Sequence, residues 1–298
     1  MRTETKTSNI QRCANDQGQF AILALDHGLS LQQTIRPQAP ETVTPAEMIN
    51  LKRDLLLRLS IHASGVLLDP IYGLDGWQVT RETITPTGLL LAIEDGDYAS
   101  TTEAARYFPD WTVSKLKAAG ADAIKCFFYY HPEDTALTAK QETFVSQLVE
   151  ECQAHDLPLF AEPLSYSTTP ETRPAVVVET ARRISRLGID ILKVEFPIDA
   201  QVQADETLWR SACDALNTAS VVPWALLSAG VNFETFTKQV EIACRAGASG
   251  YLVGRAVWKD AVTLNGQPFI DKLENEVIPR LNQLSDIVKA TAQPFDRR

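Results

Sequence analysis

Eight short apolar runs, spread along the whole chain and separated by helix-like stretches, restrict this sequence to very few folds. The runs span 20–26 (FAILALD), 65–69 (GVLLD), 89–94 (LLLAIE) and 123–130 (AIKCFFYY) in the first half of the chain. In the second half they span 158–164 (PLFAEPL), 191–197 (ILKVEFP), 222–230 (VPWALLSAG) and 250–256 (GYLVGRA). Each has the length and apolar continuity of a strand buried on both faces. Helix signals lie between most of them. Thr44-Pro45-Ala46-Glu47 is a capping box with proline at the first helical position, and Ser100-Thr101-Thr102-Glu103 is a second box. Thr169-Pro170 opens a helix expected to run to about 187, and Asn232 caps one ending near Ala246. Gly120, Gly188 and Gly247 each follow a helical stretch, where helix C-caps belong. Residues 69–89, with scattered Gly and Pro, give no clean helix.

Strands that alternate with helices imply parallel βαβ units, and eight units close most naturally into a single (β/α)8 TIM barrel. No GxGxxG follows the first strand, which disfavours an open dinucleotide-binding sheet. At 298 residues the chain fits one barrel domain, which needs roughly 250 residues. We expect an N-terminal extension over 1–17 and a terminal helix over about 269–290 packed on the barrel. No apolar signal core opens the chain, and no apolar run reaches membrane-spanning length. Five cysteines, odd in number and without a CxxC pair, fit reduced thiols in the cytoplasm. A net charge of −10 argues against nucleic acid and anionic membrane as partners. It leaves room for one basic pocket and a small anionic substrate.

A parallel strand covered on both faces has no use for charge, so charged residues within these runs mark a site. In ILKVEFP, Leu192, Val194 and Phe196 share one face and Lys193 and Glu195 the other, toward the barrel interior. Burial and a neighbouring cation both favour a neutral amine, the form that attacks a ketone. An ion pair of Lys193 with Glu195 or Glu162 that merely fills the core is the competing reading. Lys125 lies on the face of Phe127 and Tyr129, as a second interior lysine. Glu162 ends the fifth run and suits general acid or base work. Asp26 ends the first in phase with Phe20, Ile22 and Ala24. Asp69 and Glu94, taken singly, read as loop caps or ion-pair partners. Ser228-Ala229-Gly230 and Gly254-Arg255 close the seventh and eighth runs, where barrels build phosphate sites. Glycine admits close backbone approach and Arg255 supplies a guanidinium. His27 follows Asp26 at the same rim. None of the four histidines has metal-ligand spacing to another, so we expect neither metal nor cofactor.

ILKVEFP, VPWALLSAGV and AGASGYLVGRAVW resemble segments of the tagatose-1,6-bisphosphate aldolase family, which includes sulfofructosephosphate aldolase. ADAIKCFFYY, GVLLDPIYG and GLLLAIEDGDY add to the likeness, which runs from about 18 to 290. The resemblance implies a metal-free class I aldolase that cleaves a ketose phosphate to dihydroxyacetone phosphate and an aldehyde. By it, Lys193 would form the Schiff base and Glu162 would be the acid/base carboxylate. Lys125 and Asp26 would support them. Ser228, Gly230, Gly254 and Arg255 would hold one phosphate. Glu162 or Asp26 would take the C4 hydroxyl proton. One departure stands out. Members of that family carry Asp-Gln after strand one, whereas this chain has Asp26-His27-Gly28, closer to archaeal-type class I fructose-bisphosphate aldolases. His27 would therefore touch the substrate's distal end, where the second anionic group is a phosphate, a sulfonate or absent. The alternatives carried forward are fructose-bisphosphate or sulfofructosephosphate cleavage, transaldolase-like carbon transfer, and a sugar-phosphate-binding regulator without turnover. A homo-oligomer is compatible with all of them.

Overall fold

The computed structural model describes residues 3–84, 87–95 and 103–297. Its centre is a closed barrel of eight parallel strands in sequential order. These are β1 (Phe20–Leu25), β2 (Gly65–Leu68), β3 (Gly88–Ala92), β4 (Ala123–Tyr129), β5 (Leu159–Leu164), β6 (Ile191–Val194), β7 (Trp224–Leu227) and β8 (Gly250–Val253). β8 pairs back onto β1, with Phe20 opposite Gly250, and closes the ring. The helices, in chain order, begin with α1 (Glu4–Arg12), α2 (Leu29–Ile35), α3 (Pro45–Leu59), α4 (Gly73–Thr80), α5 (Val113–Ala118) and α6 (Thr135–Ala154). They continue with α7 (Arg173–Ile184), α8 (Glu206–Ala219), α9 (Phe233–Arg245), α10 (Arg255–Trp258), α11 (Gly266–Lys272) and α12 (Ile278–Thr291). Among the described residues no helix is long and apolar enough to cross a membrane.

Period-two alternation divides the strands between two cores. Phe20, Ile22, Leu67, Leu90, Phe160, Ile191 and Leu252 pack inside the barrel. Their neighbours Leu23, Val66, Leu89, Ile124, Leu192 and Tyr251 pack outward against the helices. Ile10 of α1 and Phe295 join the inner cluster, so the chain's two ends cover the floor of the barrel. Phe295 stacks on Phe20 at 5.9 Å between ring centroids. Beside them Lys6 and Asp190 form a buried pair at 2.9 Å. The floor is thus closed by packing, and the opposite rim is left for chemistry.

Most strands stop short of the apolar run that encodes them, and they lose residues mainly at the C-terminal end. Asp26, Asp69, Glu94, Glu195 and Ser228 all fall beyond the last ladder residue. A covered ladder gives a carboxylate no solvent, and these polar side chains stand just past it at the rim, whereas Lys125, Glu162 and Lys193 remain inside their strands. The capping box at Thr44 forms as expected, with Thr44 accepting from Glu47 N and Glu47 accepting from Thr44 N. Asn232 caps α9 in the same way. The helix expected to open at Thr169 begins at Arg173 and ends at Ile184. Thr169 and Thr172 instead hydrogen-bond each other's backbone N–H groups in a turn that delays the helix. The second capping box, at Ser100, lies outside the described residues. α4 forms within 69–89, where glycines conceal the helical pattern. Gly76 of α4 faces the α3 backbone at Arg53, so the small residue serves the packing. The terminal helix runs from Gly266 to Thr291 with a π turn over Leu273–Val277.

Candidate active site

Five ionisable side chains meet inside the barrel rim. Lys193 Nζ lies 2.8 Å from Glu162 Oε2. The same oxygen lies 2.8 Å from Lys125 Nζ. Lys125 Nζ also lies 2.9 Å from Asp26 Oδ2 and 2.5 Å from Glu94 Oε1. All are buried or nearly so; Glu162 is 1% exposed, Lys125 2% and Lys193 4%. The strands dictate this convergence. Lys125 and Lys193 occupy inward positions of β4 and β6, and Glu162 that of β5 between them. Glu162 therefore bridges two ammonium groups, and the Lys125 ammonium fills the space enclosed by three carboxylates. Of the two pairings open to Lys193, the structure contains the one with Glu162.

The charges set one another. Burial alone would raise the Asp26 carboxyl, but Lys125 and then Lys193 overcome it and hold the group well below the usual carboxylate range. For Glu94 burial wins: its carboxyl is pushed up to about 7 despite the Lys125 ammonium. His27 is held down to about 3, first by burial and further by Arg255, Lys193 and Lys52, against the pull of Asp26. At neutral pH its ring is uncharged. The ring packs edge-on to Trp258 at 5.2 Å, and Trp258 Nε1 donates to Ala24 O at 3.1 Å.

Two cavities flank the cluster. One of about 210 Å³ is lined by Lys193 and Glu162 together with Ser228, Gly254, Arg255 and Arg173. Gly230 adopts φ +74°, and a Cβ there would stand 3.7 Å from the Arg255 guanidinium carbon. Gly254 lies so close to His27 that a Cβ would approach Cε1 to 2.8 Å. The four residues expected at a phosphate are therefore neighbours. The second cavity, of about 450 Å³, is lined by Lys125, Asp26, Glu94, Phe127 and Arg106 among others. His27 lines both.

Glu195 does not join Lys193. It accepts from Ser165 N at 2.6 Å and pairs with Arg173. The reason is positional: Glu195 follows the last residue of β6, where its carboxylate reaches Ser165 N and Arg173 instead of the Lys193 amine. Asp69 accepts from Ile71 N and Tyr72 N and pairs with Lys52, so it is both loop cap and ion-pair partner. Lys52 and Arg173 are charged residues of the rim that the strand runs do not reveal. For Lys52 a signal existed. It falls on the α3 stripe of Met48, Leu55, Leu56 and Leu59, where a lysine needs a buried partner. Arg173 carried no such mark.

A barrel with amines inside it and a basic, glycine-built pocket beside them defines the class: an enzyme for a small anionic substrate. Comparison with known proteins narrows it. Residues 20–260 match the family described as DeoC/LacD family aldolase. The chain belongs to that family and is an aldolase, a carbon–carbon lyase. It is 32% identical to tagatose 1,6-diphosphate aldolase 1 of Streptococcus pyogenes, over 99% of each chain. It is 31% identical to tagatose 1,6-diphosphate aldolase 2 of Enterococcus faecalis, over 98% of this chain and 96% of that one. An archaeal fructose 1,6-bisphosphate aldolase structure superposes with a TM-score of 0.65 at 21% identity, over 95% of this chain and 99% of that one. A fructose-bisphosphate aldolase from Slackia heliotrinireducens gives 0.62 at 15% identity, over 96% and 90%. These last two likenesses speak for the shared barrel.

Proposed function

We propose that the protein is a class I aldolase that cleaves tagatose 1,6-bisphosphate, or a close ketose analogue, to dihydroxyacetone phosphate and an aldehyde. The observation that carries the reading is the single Glu162 oxygen held 2.8 Å from the Lys193 amine and 2.8 Å from Lys125. A carboxylate in that position can take a proton from Lys193 and later return it, with Lys125 holding the group oriented. The neutral amine attacks the C2 ketone. The carbinolamine hydroxyl leaves as water with a proton from Glu162, and an iminium on Lys193 remains. Asp26 or Glu162 then removes the C4 hydroxyl proton. The C3–C4 electron pair flows into the iminium, an aldehyde departs and an enamine stays on Lys193. Protonation at C3 and hydrolysis release dihydroxyacetone phosphate and restore the amine. Ser228, Gly230, Gly254 and Arg255 hold the C1 phosphate through backbone N–H groups and a guanidinium, which fixes C2 against the amine. His27, uncharged, offers the sugar a neutral hydrogen-bonding partner.

Support for the substrate comes from the names of the two full-length relatives. Five free, buried thiols fit the reducing cytoplasm as the place of action. The test is a cleavage panel of ketose mono- and bisphosphates, with EDTA present and released dihydroxyacetone phosphate measured. The reading requires turnover of a ketose 1-phosphate or bisphosphate that Lys193→Met abolishes. Turnover that survives the substitution refutes it.

A further inference from the structure

The cluster leaves open what holds the end of the substrate remote from the amine. With C1 in the smaller cavity beside Lys193, the carbon chain beyond C3 extends into the larger one, past Lys125. Among the described residues, Lys125 and Arg106 are the lysine and arginine that line that cavity. Lys125 is enclosed by Asp26, Glu94 and Glu162 and has no capacity left for a dianion. Arg106 is different. Its side chain is 63% exposed, and its partners Asp95 at 3.1 Å and Glu103 at 3.3 Å are themselves 34% and 66% exposed. Such exposed pairs are weak and yield to a stronger ligand.

The backbone beneath Arg106 is held by hydrogen bonds, whereas its head makes only exposed ion pairs. Asp95 N donates to Arg106 O at 2.8 Å, and Phe108 N to Ile93 O at 2.9 Å. Tyr107 forms an antiparallel bridge with Glu94. This short ribbon extends β3 and stands the guanidinium at the cavity's edge. A path along the rim joins the two ends: Lys193, Glu162, Lys125, Glu94, Asp95, Arg106. Between Lys125 and Arg106 the path carries only the carboxylates Glu94 and Asp95, which offer an anion no hold. A planar guanidinium with several donors is the side chain suited to grip a phosphate there.

We infer that Arg106 binds the distal phosphate of the substrate and so sets the preference for a ketose 1,6-bisphosphate over a ketose 1-phosphate. The inference rests on the aldolase reading. On binding, the guanidinium exchanges Asp95 and Glu103 for the phosphate. The test compares tagatose 1,6-bisphosphate with tagatose 1-phosphate on the wild type and Arg106→Gln. Borohydride trapping of dihydroxyacetone phosphate on the same samples reports the amine independently, because that ligand has no distal end. A hydrogen bond to a charged group is worth about 1.5–3 kcal/mol, so the bisphosphate-to-monophosphate ratio of kcat/KM should fall about 10–100-fold in Arg106→Gln, mainly through KM. Arg106→Lys should recover part of it. An equal fall for both substrates overturns the inference, as does an unchanged ratio or a wild type that prefers the monophosphate while still trapping dihydroxyacetone phosphate. Absence of any trapped adduct in the wild type removes the aldolase reading itself.

Discussion

Replacing Lys125 with methionine tests how the rim cluster is held together. The ammonium sits within 2.9 Å of Asp26, 2.5 Å of Glu94 and 2.8 Å of Glu162, all buried or nearly buried. Removing one partner of a buried ion pair leaves uncompensated charge and costs about 3–5 kcal/mol. At about 2–4 °C per kcal/mol, the expected fall in Tm near neutral pH is roughly 6–20 °C. The variant has one escape, which is to bind a proton. In the wild type, Lys125 is the leading cation that keeps Asp26 ionised against burial. Without it, burial favours the protonated acid, while the unfolded carboxyl stays ionised above its ordinary value of about 4. The folded variant then binds more protons than the unfolded chain, so its stability must rise as pH falls. One extra proton is worth about 1.36 kcal/mol per pH unit, so moving from about pH 7.5 to 5.5 should return about 1–3 kcal/mol of the deficit. Urea denaturation of both proteins at the two pH values measures it. An identical deficit at both, or one below about 1 kcal/mol at pH 7.5, would refute the reasoning.

Glu94→Gln should flatten the protein's stability profile with pH. Folded Glu94 holds its proton up to about 7, whereas the unfolded group releases it near about 4.3. Its contribution is therefore complete below the unfolded value and lost as pH rises toward 7. The variant's denaturation midpoint should change less than the wild type's across that window, and parallel curves would count against the assignment. Gly254→Ala should destabilise by about 1–3 kcal/mol, as overpacking does. The added Cβ would press within 2.8 Å of His27 Cε1 and 3.1 Å of Ala24 O. It should also raise KM for any phosphorylated substrate. Thermal denaturation and steady-state kinetics check both effects, and wild-type values in each would show that the pocket wall yields freely.

The barrel was legible because its strands are buried on both faces and must be written as apolar runs; each of the eight encodes an observed strand. The cluster was legible for the same reason. Lys125, Glu162 and Lys193 interrupt such runs, and strand phase alone turns all three inward. Phase held for Glu195 as well, which lines the smaller cavity with Lys193, but beyond the end of β6 at Val194 its carboxylate pairs with Arg173 instead of the amine. Lys52 and Arg173 reach the rim from helices α3 and α7; Lys52 is betrayed only by its place on an apolar stripe, and Arg173 looks like any solvated residue. Arg106 stands outside every strand run, on a bridge that local sequence does not announce. α4 was hidden because its glycines serve close packing against α3 and weaken the helical pattern. Asp69 and Glu94 took the ion-pair and capping roles expected of single carboxylates, yet both also line the larger cavity.

Covalent chemistry at the buried Lys193 amine is the step on which the proposed cleavage depends. Incubation with dihydroxyacetone phosphate and borohydride, followed by peptide mass mapping, examines it directly. The account predicts a reduced three-carbon phosphate adduct on Lys193, dependent on both reagents and absent from Lys193→Met. No adduct, or one carried by Lys125 with Lys193 untouched, would contradict it.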